Sequence, residues 1–129
     1  MIDLDNFRTI NEVYGLEAGN KVLLVLVSLI KNIISSQGII ARYGGDEFSV
    51  LLPETNIEQA MEIAGKICRE VESYDFSKFT SGKRIAVTTS IGISSFPETA
   101  NDIIAFKEKA DKALYKAKES GRNRAMYIE

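Results

Sequence analysis

Apolar residues recur along the chain at two spacings, and the alternation of the two predicts its elements. Ile2-Asp3-Leu4-Asp5 is too short to classify by spacing; as a strand it would put Asp3 and Asp5 on one face, because side chains alternate with a period of two. Phe7, Ile10, Val13 and Tyr14 then keep helical spacing up to Gly15. From Glu17 to about Ser35 a stripe of Val22, Leu26, Leu29, Ile30, Ile33 and Ile34, widened by Leu23 and Val25, predicts a helix that lies mostly inside. Ile39 to Tyr43 and Phe48 to Leu52 are β-branched or aromatic runs joined by Gly44-Gly45-Asp46-Glu47, which signals a hairpin, and Pro53 ends the second run. Ile57, Ala60, Met61, Ala64, Ile67, Cys68 and Val71 predict another helix, followed by a polar loop over 73–84. Arg84 to Phe96 reads as a third strand region with Gly92 as a bulge position. Ile103, Phe106, Ala110, Ala113, Leu114 and Ala117 define a last helix closed by Gly121, and Ala125 to Ile128 an edge strand.

The order β α α β β α β α β predicts an α+β fold, a two-layer sandwich in which helices cover a mainly antiparallel sheet. A chain of 129 residues is one domain, 1–129. Its 45% hydrophobic and 26% charged residues set disorder aside.

Composition then removes whole chemistries. Without histidine there is no Ser-His triad, no imidazole acid/base pair and no usual zinc site. One cysteine, Cys68, excludes an internal disulfide and a Cys-rich metal cluster; within a helical run it reads as filler. Acids stand where a signal peptide has a basic start, so the expected location is cytoplasmic. The longest apolar run, Val22 to Ile30, is nine residues, about half of the roughly 20 that span a bilayer, so no membrane contact is expected.

A net charge of −2 argues against binding a nucleic-acid polymer, but the charge is unevenly placed. Residues 1–20 carry Asp3, Asp5, Glu12 and Glu17 against Arg8 alone; residues 107–124 carry seven lysines and arginines against Glu108, Asp111 and Glu119. Brought together, these ends could face one polyanion through a metal ion.

Four carboxylates could share one site: Asp3 and Asp5 on the first strand, Asp46 and Glu47 in the hairpin turn. Such hard oxygen ligands suit Mg²⁺, and paired glycines let main chain approach a bulky ligand. Lys118 and Arg122, four apart, project from one helix face. Taken singly, each feature has a plainer reading as a solvated strand edge, a tight turn, or cations that compensate a helix dipole.

Together they resemble a known family. Ala41-Arg42-Tyr43-Gly44-Gly45-Asp46-Glu47-Phe48, with Ile2-Asp-Leu-Asp-Asn-Phe-Arg8, Ile10-Asn11, Gly15, Gly19, Thr89-Ser-Ile-Gly-Ile93, Ala110 to Lys118 and Gly121-Arg-Asn123, is similar in order and over nearly the whole chain to the GGDEF family of diguanylate cyclases. The resemblance implies a palm-like sheet of the nucleotide-cyclase kind with a ferredoxin-like core, and an enzyme that joins two GTP molecules into cyclic di-GMP and pyrophosphate for bacterial signalling. It implies that Asp3, the Leu4 carbonyl and Asp46 hold Mg²⁺, or Mn²⁺, and that Asp46 or Glu47 assists deprotonation of the ribose 3′-hydroxyl. Phe7, Arg8, Lys118 and Arg122 would lie along the triphosphate, Asn11 and Asn20 along the guanine edge, and Gly44 and Gly45 against the nucleotide. A homodimer would be needed for catalysis, and an upstream sensor or receiver domain would supply the signal, in the cytoplasm or on the cytoplasmic side of a membrane-bound sensor.

The sequence also departs from the family. Only Met1-Ile2 precede the first acid, where the family has a longer strand and a helical segment, so the expectation is a domain lacking that segment. Leu16 stands where a histidine is common, Asn20 where an aspartate meets guanine, and Ser35-Ser36-Gln37-Gly38 where an inhibitory Arg-x-x-Asp site lies. A catalytically silent module that binds GTP or serves as a protein scaffold is the alternative reading, and another nucleotide cyclase on the same fold is a third.

Overall fold

The computed structural model describes residues 1–129. Its elements are β1 (Ile2–Leu4), α1 (Phe7–Tyr14), α2 (Leu16–Ile34), β2 (Ile39–Gly44), β3 (Glu47–Leu51), α3 (Ile57–Ser73), β4 (Thr89–Ile93), α4 (Ile103–Glu119) and β5 (Ala125–Tyr127). The strands form one sheet in the order β2-β3-β1-β4-β5. The β2–β3, β1–β3 and β1–β4 pairings are antiparallel and β4–β5 is parallel, so the expected α+β class with a mainly antiparallel sheet is what is found.

Local chemistry accounts for the helix boundaries. Gly15, at φ +89°, separates α1 from α2 in a backbone region that side chains disfavour. Asn56 and Gln59 form a capping box at the start of α3, each side chain accepting from the other's backbone N–H at 2.9 and 3.0 Å. Asp102 caps α4 by accepting from the Ala105 N–H at 2.8 Å. Leu16–Gln37, with a mean hydropathy of 1.5, is long and apolar enough to cross a membrane by length and composition, well beyond the nine-residue run at its centre. In the fold it is the core helix: Val22, Leu26 and Ile30 are fully buried.

Side-chain alternation along the sheet divides the helices between its faces. Ile2, Leu4, Phe48, Ile91 and Ile93 join the apolar core with residues of α2 and α3. Gly92 points the other way, onto α4, where a Cβ would stand 2.1 Å from the Ala110 carbonyl oxygen and 2.2 Å from the Leu114 nitrogen. Gly92 is therefore not a bulge but the point where helix backbone meets strand backbone. It brings α4 down as a layer of its own, sealed by the buried Ala110, Ala113, Leu114 and Ala117.

Three other local expectations shift. β4 is confined to 89–93 rather than 84–96, because its partner β1 is only three residues long and the chain beyond Ile93 turns to bond with itself and with α4. The hairpin turn is the two residues Gly45 and Asp46, since Gly44 and Glu47 pair across it with a register shift after Arg42. The polar stretch after α3 contains a short 3-10 turn at Ser77–Phe79 and buries Phe76, tilted against Tyr74 with ring centroids 4.7 Å apart.

Substituting Gly92→Ala should cost about 3 kcal/mol, because the new methyl meets backbone atoms that no rotamer change can move. The denaturant midpoint reads this directly, and a neutral Gly92→Ala would show that α4 does not rest on β4 in solution.

Candidate active site

β1 lies in the middle of the sheet and carries the acids. Asp3 stands in register with Glu47 on β3 and Ser90 on β4, so the three side chains leave the same face, the one under α4. One turn after Leu114, Lys118 reaches that face and sets its Nζ 2.5 Å from Asp3 Oδ2. Asp3 is only 8% exposed, and its other oxygen, Oδ1, is buried with no hydrogen-bond partner. Asp46 comes to the same place from the hairpin turn. Its backbone carbonyl accepts from the Leu4 N–H at 3.4 Å, and the Leu4 carbonyl faces the same way as that N–H.

Burial first, and then the neighbouring Asp46 carboxyl, push the Asp3 carboxyl up from 3.8 to about 7, against the opposing pull of Lys118. A buried, unpartnered carboxylate oxygen beside a second carboxyl is a costly arrangement that a hard cation relieves. No third His, Cys, Asp or Glu joins the two acids in a metal-binding cluster. Two carboxylates and a carbonyl fit an Mg²⁺-like ion, which completes its shell with water and substrate phosphate oxygens.

Asp5, grouped with Asp3 in the sequence, is differently placed. It is 2% exposed and fully engaged: Ser90 Oγ donates to Oδ1 at 2.7 Å, while Thr88 Oγ1 and the Asn123 N–H donate to Oδ2 at 2.8 and 3.0 Å. Both oxygens of Asp5 are thus already engaged by donors of the chain itself.

The hairpin turn is held by Arg42, whose Nε and Nη2 donate to the Gly45 carbonyl at 3.0 and 2.6 Å. Neither Gly44 nor Gly45 has a positive φ, and a Cβ on either would touch nothing within 4 Å. The fold therefore has no need of glycine at these two positions. What glycine leaves there is bare main chain that a ligand can approach closely.

On the other side of the sheet, Phe7 and Asn11 of α1 lie against α2 at Gly19, where a Cβ would stand 1.8 Å from Asn11 Oδ1 and 3.2 Å from Phe7 Cζ. Asn20, the next residue, is exposed on a groove of about 530 Å³ shared with Leu23, Leu24, Arg42 and Phe48. Arg8 projects into solvent and bonds Glu12 at 2.9 Å rather than any of the acids. Arg122 is exposed on the loop after α4. The fold thus brings together Asp3, Leu4, Asp46 and Lys118 directly, and Phe7 with Asn11, while Arg8 stands apart from them. Gly19, Arg42, Ser90 and Asn123 enter the sequence reading only as residues of the family resemblance, with no role given to them, and Thr88 does not enter it.

Other features lie outside this site. An apolar cavity of about 380 Å³, lined in part by Val50, Ile63, Ile93 and Phe106, contains none of these residues. Cys68 is buried, its thiol pushed up to about 12 mainly by burial, which leaves it inert filler. Ser35–Gln37 form a 3-10 turn, and a Cβ on Gly38 would stand 2.6 Å from Leu52 Cδ2.

The family described as "Diguanylate cyclase, GGDEF domain" matches residues 1–124. Diguanylate cyclase A of Treponema denticola is 44% identical over 124 residues, covering 96% of this chain and 33% of the relative. A probable diguanylate cyclase, DgcF of Escherichia coli K12, is 37% identical over 128 residues, 96% of this chain and 40% of the relative. This chain therefore spans about a third of the length of the curated relatives it matches. Among solved structures, the active GGEEF domain of a diguanylate cyclase from Vibrio cholerae superposes with a TM-score of 0.89 at 34% identity, covering 99% of this chain and 80% of that one. The coiled coil and GGDEF domain of DgcB from Caulobacter crescentus, solved in complex with c-di-GMP, has a TM-score of 0.89 at 28% identity, covering 98% and 66%.

The raised Asp3 carboxyl sets a pH dependence. The folded chain binds this proton more tightly than the unfolded chain, so the stability it contributes is full below pH about 4 and is lost as pH rises through about 7. Melting temperatures measured without divalent cations should fall over that window in the native chain and fall less in Asp3→Asn. Parallel curves for the two proteins would place the titration on another group.

Proposed function

This chain belongs to the GGDEF domain family, and from that membership we propose that it is the catalytic unit of a diguanylate cyclase, converting two GTP into cyclic di-GMP and two pyrophosphates. One observation carries the reading: the Asp3 and Asp46 carboxyls, with a buried oxygen unpartnered, meet beside Lys118 at the edge of a glycine turn the fold does not require. In each of two equivalent steps the 3′-hydroxyl oxygen of one GTP attacks the α-phosphorus of the other. The hydroxyl proton leaves and the bond to pyrophosphate breaks.

Phosphoryl transfer asks the protein chiefly for position and charge, so a chain without histidine is not handicapped. Asp3, Asp46 and the Leu4 carbonyl would hold Mg²⁺, or Mn²⁺, which when bound neutralises charge on the α-phosphate and the leaving group. Lys118 sits on Asp3 in the free chain and would turn to the triphosphate once another cation neutralises that carboxylate. Arg122, which lies in the left-handed loop after α4 and not on the helix face of Lys118 that the four-residue spacing predicts, would hold the same phosphates, with Arg8 and Phe7 flanking them. Asp46 or Glu47 would take up the hydroxyl proton, and Gly44 and Gly45 would let the nucleotide lie against main chain. Asn11, its carboxamide set by contact with Gly19, and Asn20 would face the guanine edge.

Cyclic di-GMP is two-fold symmetric and each chain offers one such site, so the reaction calls for two copies face to face. GTP as substrate locates the domain in the cytoplasm. The full protein would add a sensor or receiver domain that controls how two copies meet.

Incubation with GTP and Mg²⁺ should yield cyclic di-GMP, and Asp46→Ala should remove the activity while leaving the fold intact by circular dichroism, since a turn carboxylate has no core role. GTP binding without any product would favour the silent module instead.

Guanine presents two adjacent donors, N1–H and N2–H, that a carboxylate can accept together, whereas an amide presents one acceptor. Asn20→Asp should tighten GTP binding by about fivefold or more. Calorimetry showing unchanged affinity would mean that position 20 does not face the base.

A further inference from the structure

Resting on the cyclase reading, we propose that Asp5 is a positioning residue: a buried carboxylate that ties the loop bearing Arg122 to the strand bearing Asp3, so that phosphate-binding and cation-binding groups keep one geometry. The loop needs such a tie. Gly121, Arg122 and Asn123 are left-handed in succession, at φ +117°, +63° and +49°. Two of them are not glycine, and such backbone persists only where its surroundings hold it.

The holding contacts are few. The Arg122 N–H donates to the Ala117 carbonyl at 3.0 Å, Arg124 Nε donates to the Arg122 carbonyl at 2.9 Å, and the Asn123 N–H donates to Asp5 Oδ2 at 3.0 Å; at the loop's two ends the Gly121 N–H donates to the Lys118 carbonyl at 3.4 Å and the Arg124 carbonyl accepts from the Ile91 N–H of β4 at 2.9 Å. The first two bonds are internal to the loop and its helix. The Asp5 bond is the one that anchors the inside of the loop to the turn leaving β1, across 118 positions of sequence. Asp3 lies on β1 and Asp5, expected on the same strand, lies one residue past its end; both face the same side of the sheet, and α4 with its loop reaches both, through Lys118 and Asn123.

The chemistry of the site argues for more than packing. Burying a carboxylate at 2% exposure is expensive, and an apolar residue of similar size would fill the space at lower cost. Ser90 and Thr88 can rotate their hydroxyls to suit a different neighbour. The Asn123 N–H is fixed by the backbone and accepts no substitute for an oxygen at that point. What an apolar residue could not do is hold Arg122's backbone in place.

The test is equilibrium binding of an unreactive GTP analogue, bridged by methylene between the α- and β-phosphorus, with Mg²⁺ present, to the native chain, Asp5→Ala, Asp5→Asn, Arg122→Ala and the Asp5→Ala/Arg122→Ala pair. Asp5→Ala should weaken binding about tenfold alone but less than about twofold when Arg122 is already absent, because its effect passes through Arg122. Asp5→Asn keeps an oxygen for the Asn123 N–H and should stay within about threefold of native. Equal losses in both backgrounds, or no loss at all, would reduce Asp5 to a fold residue. An Asn variant as impaired as Ala would make the charge, not the tie, the active property, and overturn the proposal as well. Should Asp5→Ala fail to fold, hydrogen exchange in the native chain decides: the Asn123 amide should be protected at least about a hundredfold, and free exchange there would show the tie open. A native chain that binds no nucleotide would overturn the cyclase reading and this one with it, whereas native binding without the coupling removes only the role of Asp5.

Discussion

Two carboxylates, Asp3 on the central strand and Asp5 in the turn that leaves it, are withdrawn from water on the same side of the sheet, and each must be compensated by groups brought from elsewhere in the chain. That requirement organises the α4 side of the molecule. Lys118 has to come down onto Asp3, the loop after α4 has to present its backbone to Asp5, and Ser90 of β4 and Thr88 just before it have to offer hydroxyl donors. None of this is possible unless α4 lies very close to the sheet, and Gly92, with no side chain between the two backbones, permits that approach.

The two acids are compensated unequally, and the inequality separates structure from chemistry. Asp5 has a donor for every bond its oxygens are asked to make, and behaves as a fixed strut. Asp3 has a cation on one oxygen and nothing on the other, and burial, with a second carboxyl beside it, holds its proton affinity high. A ligand that supplies positive charge there removes a cost already present in the free chain, so binding it also stabilises the fold.

Glycines divide along the same line. Gly92 is required by the backbone of α4, at separations no Cβ could survive, and Gly19 by the Asn11 carboxamide, which a Cβ would displace. Gly44 and Gly45 are required by neither contact nor backbone conformation, which is the mark of a surface shaped for something outside the chain. In the sequence all four look alike.

What the sequence by itself determined is whatever depends on near neighbours. The stripes of Val22, Leu26 and Ile30, of Ala64, Ile67 and Val71, and of Ala110, Ala113 and Leu114 announce three helices because helical periodicity is a property of residues three and four apart. The hairpin around Gly44-Gly45-Asp46-Glu47 is legible for the same reason, and the family signature it contains brought Asp3, Asp46 and Lys118 into one expected site. Tertiary structure alone decided the rest: that β5 runs parallel to β4, that α4 takes the opposite face from α2 and α3, that β4 stops at Ile93, and that Gly92 is a contact and not a bulge. It also decided which acid of the Asp3-Leu4-Asp5 pair is free for chemistry. Their spacing is symmetric in the sequence, but Asp5 meets donors 83, 85 and 118 positions away while Oδ1 of Asp3 meets none. Hydrogen bonds over such separations are set by how the layers stack, and no local pattern encodes them.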